Sequence, residues 1–123
     1  MNEVNEPIRK FETGATRSPA AAKPEYHGYF SALVMERFGE YMLKHQTASD
    51  GSYRAPDNWK LGIPFDSYLA SCFRHFHDFW GCAIGEPPAN SQGIEEALCA
   101  VLFNAQGYLH EILKQKRSAN PNT

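Results

Sequence analysis

The sequence is short of most marks by which a chain declares its chemistry. Its three cysteines, Cys72, Cys82 and Cys99, form no CxxC pair, which excludes the usual structural zinc spacing. They fall in apolar segments and are expected to stay reduced, as in a cytoplasm. There is no GxxxxGK[ST] loop and no GxSxG elbow, so neither a P-loop nor a nucleophile-elbow hydrolase is indicated. No basic block exists: 12 Lys and Arg stand against 14 Asp and Glu. Nucleic acid is therefore not the expected main partner. Apolar runs are short and broken by charge, so no membrane partner is expected. The opening MNEVNEPIRKFE has no apolar stretch of the kind a signal peptide needs. No internal repeat or low-complexity domain is found.

What is present is aromatic and helical. At 123 residues, 42% hydrophobic and 13% aromatic, the chain suits one domain with a modest core. Residues 1–10 read as a flexible arm, 11–117 as a single helical domain and 118–123 as a disordered tail. The stretch FDSYLASCFRHFHDFW, Phe65 to Trp80, organises the rest. Leu69, Cys72, Phe73, Phe76, Phe79 and Trp80 recur at helical steps as an apolar stripe. Ser71, Arg74, His75 and Asp78 recur on another face, either as a solvated surface or as groups that meet one ligand. Asp66 or Ser67 is the expected N-cap.

An earlier helix is expected over Tyr29 to His45, with Ser31 as a loose cap and Phe30, Val34, Phe38 and Tyr41 turned inward. Glu40 and Lys44 form an i,i+4 pair there. A last helix is expected from Ser91 or Gln92 to about Lys116. Its core stripe is Ile94, Leu98, Val101, Leu102, Ala105, Leu109 and Ile112. Beside it runs the line Glu96, Ala100, Asn104, Gly107 and Glu111, whose small residues make room for a flat ligand or a neighbouring helix. In the second case Asn104 is satisfied by a backbone group. The connection over residues 46–64 is long, and long connections are often functional. Asp50-Gly51 and Pro56-Asp57-Asn58 mark turns in it. Trp59 should anchor it, with Arg54, Asn58 and Lys60 free to face a ligand. The expected fold is all-α, a small bundle of three main helices. So many aromatics leave apolar surface that a homo-oligomer would cover.

Short-range acidic and imidazole sets recur on these helices: Glu36 with Glu40, His75 with Asp78, and Glu95 with Glu96. Such oxygen donors suit Mg²⁺ or Mn²⁺, which usually bind one or two carboxylates plus phosphate oxygens. The bland alternative for each is surface support of its helix. Thr13 to Arg17, with Gly14 and Thr16, could form a small phosphate loop.

Taken together, FETGATR, GYFSALVMERFGEYMLKH, SDGSYRAPDNWKLGIP, SYLASCFRHFHDFW and GIEEALCAVLFNAQGYLHEIL resemble the dATP/dGTP diphosphohydrolase N-terminal domain family of phage and prophage proteins. The resemblance spans about residues 11–113. That family looks related to the MazG-like all-α nucleoside triphosphate pyrophosphatases. It implies a metal-dependent purine (deoxy)nucleoside triphosphate diphosphohydrolase giving (d)NMP and pyrophosphate, in the host cytoplasm if phage-encoded. On that reading His75, Asp78, Glu95 and Glu96 hold Mg²⁺ or Mn²⁺, with Glu36 and Glu40 as a second acidic set. Asp78 and Glu96 are then the catalytic candidates. Thr16, Arg17, Lys23 and Arg74 meet phosphate, and Asn58 and Asn104 orient ligand or water. Trp59 or Tyr26 stacks on the base. Two departures stand out. Relatives carry ExxE and ExxD, where this chain spaces Glu36 and Glu40 by four and has HxxD at His75. Their GExxD segment is Gly85, Glu86, Pro87, Pro88 and Ala89 here, so a carboxylate is replaced. A non-hydrolytic nucleotide-sequestering protein is the alternative, and a helical module that binds a host protein is a third reading.

Overall fold

The computed structural model describes residues 7–19 and 23–120. Residues 1–6 of the expected arm and 121–123 of the expected tail lie outside that range. The chain divides into two compact units, Met1–Met35 and Glu36–Thr123.

In the first unit, strand β1 (Arg9–Lys10) pairs antiparallel with β2 (Thr16–Arg17). Gly14, at φ 90°, makes the turn between them, a conformation open to glycine because it lacks Cβ. Its N–H donates to Phe11 O at 2.9 Å. Arg9 Nε donates to Ser18 O at 2.8 Å. Thr13 to Arg17 is thus a hairpin tip and its return strand, and residues expected to form an unstructured arm begin the hairpin. A single helical turn, α1 (Tyr26–Tyr29), follows. The expected helix start at Tyr29 is displaced. Phe30 is extended at φ −114° and ψ 148°, and α2 (Ala32–Lys44) begins after it. Ser31 Oγ accepts from Val34 N at 3.2 Å, the capping role its hydroxyl suits.

In the second unit, the connection after α2 is ordered rather than loose. Thr47 bridges Tyr53, and Asp50 Oδ1 accepts from the Ser52 N–H at 2.9 Å, closing an Asx turn. A 3-10 helix, Asn58–Leu61, follows. Trp59 lies edge-on to Phe103 and to His110, with ring centroids 6.0 and 4.9 Å away. That pins the connection to α4 (Ile94–Ala119). α4 runs through residues expected to belong to the tail. α3 (Phe65–Ala83) begins directly after Pro64, and neither Asp66 nor Ser67 caps it.

α3 and α4 pack antiparallel, and the faces they turn to each other are not the expected apolar stripes. Tyr68 is 1% exposed, and its ring lies against Gly107, where a Cβ would overlap it. Ser71 Oγ accepts from Asn104 Nδ2 at 3.2 Å, and the same nitrogen donates to Ala100 O at 2.8 Å. Ala97, Ala100, Asn104, Gly107 and Glu111 are buried, whereas Leu98, Leu102 and Leu109 are exposed. Likewise Leu69, Phe73, Phe76 and Trp80 of α3 stay exposed. Small side chains let the two backbones approach closely, so the line expected to seat a ligand or a neighbouring helix seats the helix. α2 closes on α4 through Tyr41, Cys99 and Ala100, with Phe38, Met42 and Phe103 around them. Gly81 allows the exit from α3, since its missing Cβ would lie 2.6 Å from Glu86 O. Among the described residues no helix is long and apolar enough to cross a membrane.

Gly107→Ala weighs two effects against each other. Alanine gains about 1 kcal/mol in helix propensity, but overlap with a buried ring costs about 1–3 kcal/mol. Because Tyr68 has no exposed side to move into, the overlap should win. A lower urea midpoint at an unchanged m-value is expected; a raised midpoint would contradict the close approach.

Candidate functional site

One concavity of the second unit is built by the ordered connection. α2 supplies Tyr41, His45 follows directly after its end, and α4 supplies Phe103. The connection itself supplies Arg54, Asn58 and Trp59. Together they enclose a cleft of about 190 Å³. Its walls are aromatic, and the Tyr41 and His45 ring centroids are 4.4 Å apart. Arg54 is fixed in the cleft wall by its backbone, whose N–H donates to Gln46 O at 2.7 Å. Lys60 Nζ lies 5.7 Å from the Trp59 ring centroid. Burial lowers the pKa of His45 from its ordinary value; Glu96 opposes the shift, and the charges of Lys44 and Arg54 add to it. Burial thus favours the uncharged ring, suited to stacking and hydrogen bonding.

Behind this cleft is an ion cluster. Arg37 Nε donates to Glu95 Oε1 at 2.8 Å and its Nη2 to Glu96 Oε1 at 3.1 Å. Lys44 Nζ is 3.6 Å from Glu96 Oε2, so Lys44 turns to Glu96 in place of the expected pairing with Glu40. Burial raises the Glu96 pKa, but the Arg37 hydrogen bond and the charges of Lys44 and Arg37 more than offset it. The carboxyl stays below its ordinary range. Burial and then Glu96 raise the Tyr41 hydroxyl. Burial raises the Cys99 thiol, keeping it protonated and unreactive.

Asp78 does different work. Its Oδ1 accepts from Ser91 Oγ at 2.5 Å and its Oδ2 from Gln92 N at 3.1 Å. Ser91 Oγ in turn accepts from Gly93 N at 3.1 Å. This latch ties α3 to the residues that open α4. The Ser91 hydroxyl, then the Gln92 N–H, hold the Asp78 carboxyl below the usual carboxylate range. Arg74 and His75 lie with Asp78 along a second, more open cleft of about 490 Å³ that Asn90 and Gln92 also border.

The sequence-derived candidates therefore separate. Asn58 and Trp59 meet in the first cleft, and Arg74, His75 and Asp78 in the second. Glu95 and Glu96 sit against Arg37. Glu36 and Glu40 are exposed on α2. Asn104 lies inside the α3–α4 contact. Thr16, Arg17, Lys23 and Tyr26 belong to the first unit, where Lys23 and Tyr26 border a recess with Arg9 and His27. Among the described residues no three His, Cys, Asp or Glu side chains gather as metal ligands. As arranged, Glu95 and Glu96 answer the chain's own cations, and both Asp78 oxygens are taken by protein donors. Sequence reasoning missed Arg37, His45 and Ser91. Arg37 lies between Glu36 and Phe38 and carried no spacing signal. His45 follows Tyr41 by one turn, a cue that would have placed both on one face.

Asp78 also sets a pH dependence. Because its folded pKa is depressed, its stabilising contribution is present above the ordinary carboxylate pKa of about 3.9. The contribution is lost as pH falls through the lower folded value. Asp78→Asn should lower the melting temperature at pH 7, and the gap to the parent protein should close as pH drops below about 4. A gap that does not vary with pH would contradict the latch.

No protein-family model matches the chain, and neither a curated protein nor a solved structure matches it.

Proposed function

We propose that this chain binds a purine nucleotide, with the base in the Trp59 cleft and the phosphates toward Arg54. The observation that carries this reading is the cleft itself. It combines aromatic walls from Tyr41, Trp59 and Phe103, an amide at Asn58 and a cation at Arg54. Flat apolar walls with a few placed polar groups are the usual build of a small-molecule site. Aromatic rings favour a flat heterocycle, and a guanidinium matches phosphate oxygens with two parallel N–H donors. The resemblance to purine nucleotide diphosphohydrolases points to the same ligand class.

The internal pairing of Glu95, Glu96 and Asp78 supports binding without turnover, the reading in which the protein sequesters its nucleotide. Hydrolysis to (d)NMP and pyrophosphate with Mg²⁺ or Mn²⁺ is the second reading. One observation favours keeping it: Arg74, His75 and Asp78 border one open cleft, where a cation, an imidazole and a carboxylate face the same space.

The test is incubation with purine NTPs and dNTPs, with and without Mg²⁺ or Mn²⁺, followed by chromatography of the solution and of the denatured protein. Intact nucleotide released from the protein is the expected result. Monophosphate with pyrophosphate would establish the hydrolase instead, and no retained nucleotide and no product would sink both. Trp59→Ala should weaken binding by about 1–3 kcal/mol, the worth of one base stacked on an aromatic ring, read by titration. An unchanged affinity would move the base elsewhere.

A further inference from the structure

α3 and α4 share a face left open within the Glu36–Thr123 unit. α2 and the Trp59 turn engage α4 through Cys99, Phe103 and His110. On its other side Leu98 and Leu102 are each 42% exposed, Leu109 55% and Leu113 52%. An almost wholly apolar groove of about 350 Å³ continues this face toward α3, past Leu69, Cys72 and Ala105.

The spacing along α4 indicates what covers it. At 3.6 residues per turn these leucines fall on one face. Reflected about the peptide bond between Ala105 and Gln106, Leu102 exchanges with Leu109 and Leu98 with Leu113. One turn further out, Glu95 exchanges with Lys116. The first turn of α4 is acidic and its last turn basic. A two-fold axis at this bond would lay α4 antiparallel on its own copy, with leucine against leucine and carboxylate beside ammonium. Ala105 leaves room at the crossing. This is the self-complementarity an isologous interface requires. Glu95 keeps 72% of its side chain exposed while it accepts from Arg37, so it remains within reach of a partner.

We propose that two copies of this chain pair through α4, antiparallel about a two-fold axis at Ala105. The sequence expects an assembly; the structure names its face and register. The proposal does not rest on the nucleotide reading, because subunit mass is measured without nucleotide.

Light scattering on the full chain should give twice 13.9 kDa. A monomer at every concentration overturns the proposal. The double variant Leu102→Glu, Leu109→Glu should be monomeric with unchanged helical circular dichroism, since both residues are already exposed in the single chain. A helical variant that stays dimeric overturns the face. If that variant does not fold, Ala105→Cys decides. Under mild oxidation it should form an inter-chain disulfide well beyond what the native thiols give, and failure to cross-link above the parent protein overturns the register.

Discussion

Tyr68 and Gly107 set the distance between α3 and α4. A buried phenol ring fills the place where any other residue at position 107 would put a side chain, and the two helices close around that contact. Burying the ring favours folding by about 2–3 kcal/mol, while its hydroxyl, buried with no hydrogen-bond partner among the described residues, costs about 1–3 kcal/mol. The two nearly offset, so the contact fixes geometry more than it adds stability. Once the backbones are this close, only alanine, glycine and short polar groups fit between them. Leucines and phenylalanines are turned outward as a consequence.

The same constraint explains where the polar groups go. Asn104 and Ser71 meet across the contact and satisfy each other and a helix carbonyl, as buried amides generally do. Asp78, one turn beyond His75, reaches the residues that open α4 and ties the two helices at that end. Glu96 is drawn to Arg37 and Lys44 of α2, which fixes how α2 lies on α4. Side chains of the types that bind metals are thus employed in holding three helices in register. Between α2, α4 and the 46–64 connection they leave the cleft lined by Tyr41, Trp59 and Phe103. Trp59 is braced there by Phe103 and His110.

Much of the helical layout is legible in the sequence. Periodicity marks the three long helices, Ser31 announces the start of α2, and Trp59 is recognisable as the anchor of the long connection. The Glu96–Ala100–Asn104–Gly107–Glu111 line is visible too, including its use for a neighbouring helix. The candidate site is far less legible. Asn58 and Trp59 were found because turn residues and a loop tryptophan are conspicuous. Arg37 and His45 were not, because their roles depend on α4 lying beside α2. Thr47 to Tyr53 gave a turn signal at Asp50-Gly51 but no sign that its flanks bridge.

The sequence by itself determined which segments are helical, because helix formation follows local spacing, caps and breakers. Only the tertiary structure decided which side of each helix is the inside. Hydrophobic stripes predict burial against something, but close packing between α3 and α4 selects small residues first. The contact went to Tyr68, Ala100 and Gly107, and the leucine face was left pointing out of the chain.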